Sequence, residues 1–477
     1  MSTTPPVSEG ATLRRNLSVW AALGLSLALL GPSMAANINP QAPAGLVGPA
    51  VPLVYALSAV GVLLVAHSFV RLSQHISSAG SVYGFIGATI GPRSGFVAGW
   101  LLLGTYIAFA VTTLAGAALF FTDFSSTALS LDVSWEWFAA GAFALVALLA
   151  SRPAKAATTL LLGVEVVTIL LIAGVAVVSL VKVAGGNGPA EGSDVSALFS
   201  LPEGKGTSAV FAAMVFGFLS FAGFEAAATL GEETRDPRRA IPVALIGTVV
   251  LAGVFFVLVT SAEVLGFGTG PKGVAALTSS GSLVGDLGRT YLTGAVGDAV
   301  TLGAGLSAFG SALACMVGAS RLLFAMSRDG FLNTGLGQAR QRDGVPQQAV
   351  LAILGVAAVI LVGLRLAATD KLIDIFFWTA TVGSLSLLVA YFMALLGAGR
   401  FLFLDAPRRA PLVEAIIPVM GMALMAYVMY RNVWPIPDSP YNTFPYIVAA
   451  WALLGLAVVA ATPGLAERIG RRRVLED

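Results

Sequence analysis

Apolar stretches of about twenty residues recur along the whole chain, and they leave it few ways to fold. Of its 477 residues 57% are hydrophobic and only 11% are charged, whereas soluble globular proteins carry about 25% charged residues. About twenty apolar residues are enough to cross a bilayer as a helix. Stretches such as 156–181 are apolar on every face and lack the alternation of a barrel strand. The sequence therefore predicts an all-α membrane protein.

The placement of basic residues predicts how many spans there are and which way they run. With the N-terminus in the cytoplasm, seven of the 27 lysines and arginines lie in outside loops and the other 20 lie inside. This bias follows the positive-inside rule and predicts twelve transmembrane helices with both termini cytoplasmic. It also argues against a cleaved secretory signal, because cleavage near residue 35 would leave an odd number of spans. The predicted spans are 17–37, 50–71, 90–121, 134–150, 155–183, 207–230, 240–267, 292–325, 347–365, 371–398, 410–431 and 443–463.

Composition and motifs exclude several classes of function. The single cysteine, Cys315, cannot form an internal disulfide, and two histidines with no Cys/His cluster predict no metal site. No nucleotide-binding loop and no nucleophile–base pair is visible, so we expect no cofactor and no enzymatic activity. The expected partners are a small-molecule substrate and the lipid bilayer, with no nucleic acid. We divide the chain into a cytoplasmic tail (1–15), a transport core (16–400), and a last part with spans 11 and 12 and a cytoplasmic tail (401–477).

Two spans contain residues that interrupt helices. Gly31-Pro32 lies in the middle of the first span, where a simple proline kink is the alternative interpretation. The sixth span contains Ser220–Gly223, where small residues for close helix packing are the alternative. Each break precedes an Ala-x-Pro helix start, at a distance of 21 residues in the first copy and 19 in the second. Interrupted helices at matched places in two halves indicate a transport site near the middle of the membrane.

The physics of such breaks indicates what they bind. A broken helix exposes N–H groups at the start of one half and C=O groups at the end of the other. The first attract a carboxylate and the second attract an ammonium group. An amino acid carries both groups on one carbon, so two opposed breaks suit a zwitterion.

Several motifs fall in the order expected for one transporter family. The run 221–225 (FAGFE) is followed by Glu232-Glu233, Pro237 and Ile241-Pro242. Further motifs are Gly80-Ser81-Val82-Tyr83, the segment 91–100, Ala154-Lys155-Ala156-Ala157-Thr158, Ser320-Arg321 and Ser327-Arg328-Asp329-Gly330. With these motifs the chain resembles the amino acid–polyamine–organocation (APC) permeases of the bacterial amino acid permease type. The resemblance implies a five-plus-five inverted repeat (LeuT-like) with helices 1 and 6 broken, plus two C-terminal helices.

The resemblance also implies where substrate and coupling ions act. The glycine-rich motif usual in the family's first span is absent, and Ser33 stands where a carboxylate-cradling glycine is usual. The resemblance implies that Lys155 and Glu225 take part in proton relay or coupling. The alternatives are an ordinary helix-end lysine for Lys155 and a structural acid for Glu225. From their positions in the spans, Glu165 is interpreted as a packing or network acid, with a functional role as the alternative, and Glu263 and Asp298, near outer helix ends, as solvated. The implied substrate-binding residues are Gly31, Pro32, Ser33, Met34, Ala35, Ser220, Phe221, Ala222, Gly223, Phe224 and Cys315, the last with a small apolar filler as the alternative.

These features together predict a secondary active transporter for amino acids or related amines in the cell membrane. The sequence does not decide between symport and exchange, or between protons and sodium as the coupling ion. An exporter of polyamines or amphipathic cationic compounds is one alternative, because the first-span motif is unusual. A substrate sensor or channel on the same scaffold is another.

Overall fold

The structure is a computed structural model, and it describes residues 30–76, 82–152, 155–189, 192–225, 237–330, 332, 334–338, 340 and 344–462. Every regular element in these ranges is helical. The α-helices are α1 (Pro32–Ile38), α2 (Gln41–Val47), α3 (Val51–His75), α4 (Val82–Thr89), α5 (Pro92–Ala128), α6 (Trp135–Ala150), α7 (Lys155–Lys182), α8 (Thr207–Phe221), α9 (Pro237–Phe267), α10 (Pro271–Ser279), α11 (Leu283–Tyr291), α12 (Gly294–Arg328), α13 (Gln347–Ala367), α14 (Leu372–Gly399), α15 (Ile416–Arg431) and α16 (Phe444–Ala461).

Most of the predicted spans coincide with observed helices. Nine helices of the described residues are long and apolar enough to cross a membrane, and α6 and α8 are shorter apolar helices. Each of these helices matches one of the second to twelfth predicted spans. The first span is described only from Leu30 onward, so residues 17–29 lie outside the described part and the count of twelve stays a prediction. The protein is a multi-pass, all-helical membrane protein.

Helix α5 forms the centre of the bundle. It packs along α12 and α14 in the two most extensive helix pairs of the described chain. Of the residues in its most apolar stretch, 89% are buried inside the protein, whereas the corresponding share is 17% for the segment that contains α16. Protein therefore surrounds α5, whereas α16 lies at the periphery and presents most of its surface to lipid.

A short helical layer covers the end of the bundle where α1 ends. Helices α10 and α11 lie between α9 and α12, and the Asn37 side chain of α1 holds the start of α11. Its Oδ1 accepts hydrogen bonds from the Ser282 hydroxyl at 2.9 Å and from the Val284 N–H at 3.0 Å. Its Nδ2 donates to the Ser33 carbonyl at 2.8 Å. The position of α1 is thus coupled directly to that of α11.

Arg289 of α11 ties this layer to the ends of α5 and α12. Its guanidinium contacts Asp123 at 3.2 Å, Asp286 at 2.8 Å and Asp298 at 3.1 Å. The Asp298 side chain is only 23% exposed. The prediction of a solvated Asp298 was therefore only partly right, because the carboxylate is engaged in this ion-pair group.

Two tryptophans fasten α16 to α5 by exchanging hydrogen bonds. Trp100 Nε1 donates to the Trp451 carbonyl at 2.9 Å, and Trp451 Nε1 donates to the Trp100 carbonyl at 2.8 Å. The two rings stack with centroids 4.4 Å apart. Gly104 and Gly455 leave room for the rings, since a Cβ at Gly104 would lie 2.5 Å from Trp451 Nε1 and one at Gly455 would lie 2.6 Å from Trp100 Cδ1.

We expect Gly104→Ala to lower the melting temperature of the purified protein in detergent by several degrees. Overpacking a filled site costs about 1–3 kcal/mol, which outweighs the roughly 1 kcal/mol that alanine gains over glycine within a helix.

Gly355→Ala in α13 is the matched control, because no atom lies within 4 Å of a Cβ at that position. It should leave the melting temperature unchanged or raise it. Equal effects of the two substitutions would show that the tryptophan contact does not confine Gly104.

Candidate functional site

The first predicted break is a left-handed turn at Gly31. Leu30 is helical, Gly31 has φ 59° and ψ 49°, and α1 begins at Pro32. Glycine adopts this conformation readily, and other residues do so at a cost. A Cβ at Gly31 would also lie 2.3 Å from the Ser311 hydroxyl of α12. The Gly31 dihedrals are left-handed, whereas a helix that is only kinked at proline keeps right-handed dihedrals. The interpretation as a simple proline kink is therefore wrong.

The N–H groups that this break exposes are bonded to side chains of the protein. Pro32 has no N–H, which suits the first position of a helix. The Ser33 N–H donates to Glu165 Oε1 of α7 at 2.9 Å, and the Met34 N–H donates to the Ser307 hydroxyl of α12 at 3.2 Å. The Ala35 N–H makes the first hydrogen bond within the helix, to the Gly31 carbonyl. Each backbone N–H of the first turn of α1 therefore has a partner.

The second predicted break follows the end of α8. The helix stops at Phe221, Ala222 is extended, and Gly223 has φ 104°. The Gly223 N–H donates to Glu225 Oε2 at 3.1 Å, and the Tyr391 hydroxyl of α14 donates to the same oxygen at 2.8 Å. The small residues thus mark a helix end and do not serve only for packing. Residues 226–236, which include Glu232-Glu233, lie outside the described part.

Phe224, predicted to line the site, packs inside an aromatic group. Its ring centroid lies 5.7 Å from that of Tyr391 and 6.0 Å from that of Phe69 of α3. Its side chain is fully buried. The Phe224 ring thus packs against Tyr391, the residue that binds Glu225, and the Glu225 side chain is only 4% exposed.

Ser220 links the segments next to the two breaks. Its hydroxyl accepts from Asn39 Nδ2 at 2.8 Å, beyond the end of α1, and lies 3.1 Å from the Tyr55 hydroxyl of α3. It donates to the Phe216 carbonyl one turn earlier in α8. Ser220 is therefore close to the chain of the first break as well as to the second.

Met34, Ala35 and Cys315 were also predicted to bind substrate, and Lys155 was predicted to take part in coupling. Met34 Sδ faces α5 at Gly116, where it would lie 3.4 Å from an added Cβ, and Ala35 is buried within α1. Cys315 is partly buried on α12, within electrostatic range of Glu225. The Lys155 backbone begins α7, but its side chain lies outside the described part of the structure, so its predicted role is untested.

Sequence reasoning missed two tyrosines at the breaks and the contact that Glu165 makes. Glu165 was interpreted as a packing or network acid, and it caps the start of α1 and is only 4% exposed. Tyr391 binds Glu225, and Tyr106 of α5 lies within electrostatic range of it. A carboxylate in the middle of an apolar span, the signal that singled out Glu225, applies equally to Glu165. Tyrosine hydroxyls inside spans were the other available signal, since buried ones usually find a partner.

The prediction of a solvated Glu263 is wrong. Its side chain on α9 is fully buried, and neither carboxylate oxygen has a hydrogen-bond partner among the described residues. The apolar face of α9 packs against α3, which carries the carboxylate out of solvent. Two surface grooves, of about 450 and 730 Å³, lie near the ends of α7 and α9 and include none of the residues predicted to bind substrate.

The family model described as amino acid permease matches residues 39–461 of the chain. The chain belongs to the amino acid permease family. Members of this family are transporters, so the permease is a transporter and not an enzyme. The match covers every described helix from α2 to α16.

Curated relatives cover different shares of the permease. It is 27% identical over 321 residues to a branched-chain amino acid permease of Bacillus subtilis (strain 168), which covers 63% of this chain and 65% of that protein. It is 28% identical over 460 residues to an uncharacterized transporter of Mycobacterium tuberculosis (strain ATCC 25618 / H37Rv), covering 94% and 91%. It is 25% identical over 378 residues to a low-affinity putrescine importer of Escherichia coli (strain K12), covering 77% and 79%.

A solved transporter shares the fold of the permease. The crystal structure of an Eremococcus coleocola manganese transporter, in complex with an aromatic bis-isothiourea substituted compound, aligns with a TM-score of 0.53. The alignment covers 97% of this chain and 100% of that one, at 11% sequence identity. The similarity supports the helical transporter architecture.

We expect Gly31→Ala to destabilise the permease and Ser311→Ala to rescue it. The single substitution should lower the melting temperature by several degrees, because the new Cβ collides with the Ser311 hydroxyl. In the double variant the nearest remaining atoms lie 3.5 Å away, which leaves a left-handed strain of about 1 kcal/mol.

Ser311→Ala alone is the control for this cycle, because its hydroxyl has no hydrogen-bond partner among the described residues. It should change the melting temperature little. A double variant no more stable than Gly31→Ala would mean that the close approach to Ser311 does not hold the turn.

Proposed function

We propose that the permease is a secondary active transporter that moves amino acids or related amines across the cell membrane by alternating access. The observation that carries this proposal is the pair of helix breaks, at Gly31 and at Gly223, in a membrane protein of the amino acid permease family. Irregular backbone within a membrane bundle is tolerated where it is covered by protein or lines a cavity. In transporters such breaks build the substrate site.

The breaks support a substrate site because both contact the central helices. At the first break α12 contributes Ser307 and Ser311, at the second α14 contributes Tyr391, and Ser220 of α8 binds Asn39 at the end of α1. In our proposal Gly31–Ala35 and Ser220–Phe224 bind the substrate, with Cys315 on the α12 side. A putrescine importer and a branched-chain amino acid permease among the relatives support amines and amino acids as substrate classes.

The proposed architecture is a five-plus-five inverted repeat with two additional helices. The similarity to a solved transporter over almost the whole chain supports it, as do the matched breaks. One repeat rocking against the other would open the breaks to each side in turn. The bias of basic residues supports both termini in the cytoplasm.

Proton coupling through Lys155 and Glu225 completes the proposal. Glu225 binds the Gly223 N–H at the second break, so a change in its charge would act directly on the substrate site. Lysine changes its protonation readily on burial. Lys155 would hold the first helix against the eighth span when it is protonated.

Uptake by purified permease in liposomes tests the proposal. The panel contains amino acids and amines, with imposed proton or sodium gradients. We expect uptake driven by a proton gradient, and we expect Glu225→Gln to reduce it by about tenfold, because the amide keeps an acceptor but cannot carry a proton, and a hydrogen bond to a neutral acceptor is about 1–1.5 kcal/mol weaker than one to a charged acceptor.

Glu263→Gln is the matched control, since it makes the same chemical change at a buried carboxyl that forms no hydrogen bond to either break among the described residues. It should retain uptake. If the wild type moves no member of the panel under any gradient, the proposed function is wrong. If both Glu225→Gln and Lys155→Ala keep full proton dependence, neither residue couples protons.

A further inference from the structure

Both breaks are closed by carboxylates that belong to the protein itself. Exposed N–H groups at a half-helix start are the natural partners of an anionic substrate group. Here the Ser33 N–H binds Glu165 at 2.9 Å, and the Gly223 N–H binds Glu225 at 3.1 Å. An α-carboxylate entering either break would have to displace a glutamate and then lie beside its negative charge.

The first break offers no spare donor in the first turn of α1. Pro32 has no N–H, and the Met34 N–H is bonded to Ser307. Ala35 bonds back to Gly31 within the helix. A substrate carboxylate therefore gains no free backbone donor from this turn, whereas burying it without partners is costly.

In the part of the chain that the structure describes, neither carboxylate has a cationic partner. Glu165 and Glu225 are each 4% exposed. Among the described residues, neither forms an ion pair with a lysine, arginine or histidine, whereas Glu414 pairs with Arg71 and Glu136 with Arg365. Two buried carboxylates with no basic partner in the described ranges favour a cation supplied by the substrate.

A separate observation also indicates an ammonium group. The Ser311 hydroxyl is 5% exposed, points at Gly31 and has no hydrogen-bond partner among the described residues. A hydroxyl can accept from an ammonium N–H. It lies at the same break as the Glu165 carboxylate, so the first break offers acceptors to an ammonium group while the backbone N–H groups of its first helical turn are already bonded.

We propose that the substrate of this site is an aliphatic amine without a carboxylate, and preferably a diamine. One ammonium group would lie at the first break near Glu165 and Ser311, and the other would lie near Glu225. This inference rests on the proposed transport function and narrows its substrate class. An amine fits this site better than the corresponding amino acid, because the side chains of Glu165 and Glu225 already occupy the backbone donors that a substrate carboxylate would use.

Matched pairs of compounds test the inference in the same liposomes. Lysine and cadaverine share a carbon skeleton and differ only by the carboxylate, as do ornithine and putrescine. We expect cadaverine and putrescine to compete for uptake at concentrations about tenfold or more below those of lysine and ornithine, since an unpaired buried polar group weakens binding by at least that factor. Lysinamide, which lacks the negative charge, should compete better than lysine.

Variants at Glu165 separate its charge from its capping bond. Glu165→Gln keeps an acceptor for the Ser33 N–H but removes the charge. It should weaken competition by the diamines more than competition by lysine. Glu165→Ala frees the Ser33 N–H and should shift the preference further toward lysine. Glu263→Gln is the control and should keep the wild-type ratio.

The outcomes distinguish the two proposals. If lysine and ornithine compete as well as or better than the diamines in the wild type, the inference is overturned while the transport function stands. If no compound is taken up, the proposed function fails and the inference falls with it. The comparison of diamines with amino acids in the wild-type protein tests the inference without any variant. The test therefore remains valid even if a Glu165 variant folds poorly.

Discussion

The hydrogen bond between the Ser33 N–H and the Glu165 carboxylate is the contact on which the candidate site depends. A helix that restarts inside a membrane bundle leaves donors that lipid cannot satisfy. Gly31 permits the left-handed turn, Pro32 removes one donor, and Glu165 of α7 satisfies the next. Without this carboxylate the broken first helix would expose an unpaired backbone N–H, so α7 and α1 are energetically linked.

The same solution recurs at the second break and explains why buried acids are tolerated there. Glu225 accepts from the Gly223 N–H and from the Tyr391 hydroxyl of α14. Each acid is costly alone, and so is each unpaired N–H, but together they satisfy one another. The two breaks thereby connect α1 with α7 and α12, and α8 with α14. Movement of either broken helix must be accompanied by changes in these bonds, which suits a site that alternates between two states.

Much of the fold follows from the sequence because the constraint of the bilayer is simple. Apolar length predicted α3 and α12 to within about four residues and α5 to within seven. The breaks at Gly31 and Gly223 were predicted from glycine, proline and small residues, together with their matched places in the two halves. The contacts of Glu165 were not predictable, because they depend on which face of α7 meets α1. For the same reason Glu263, at a helix end, was expected in solvent and lies buried against α3. Helix length can be read along the chain, but partners across the bundle cannot.

The most direct test of this account is an experimental structure of the permease with and without cadaverine. The account predicts Glu165 within hydrogen-bond distance of the Ser33 N–H in both structures, with an ammonium group of the ligand against the same carboxylate. It predicts the second ammonium group near Glu225. A structure in which Glu165 turns away and the Ser33 N–H binds the ligand or water would contradict it.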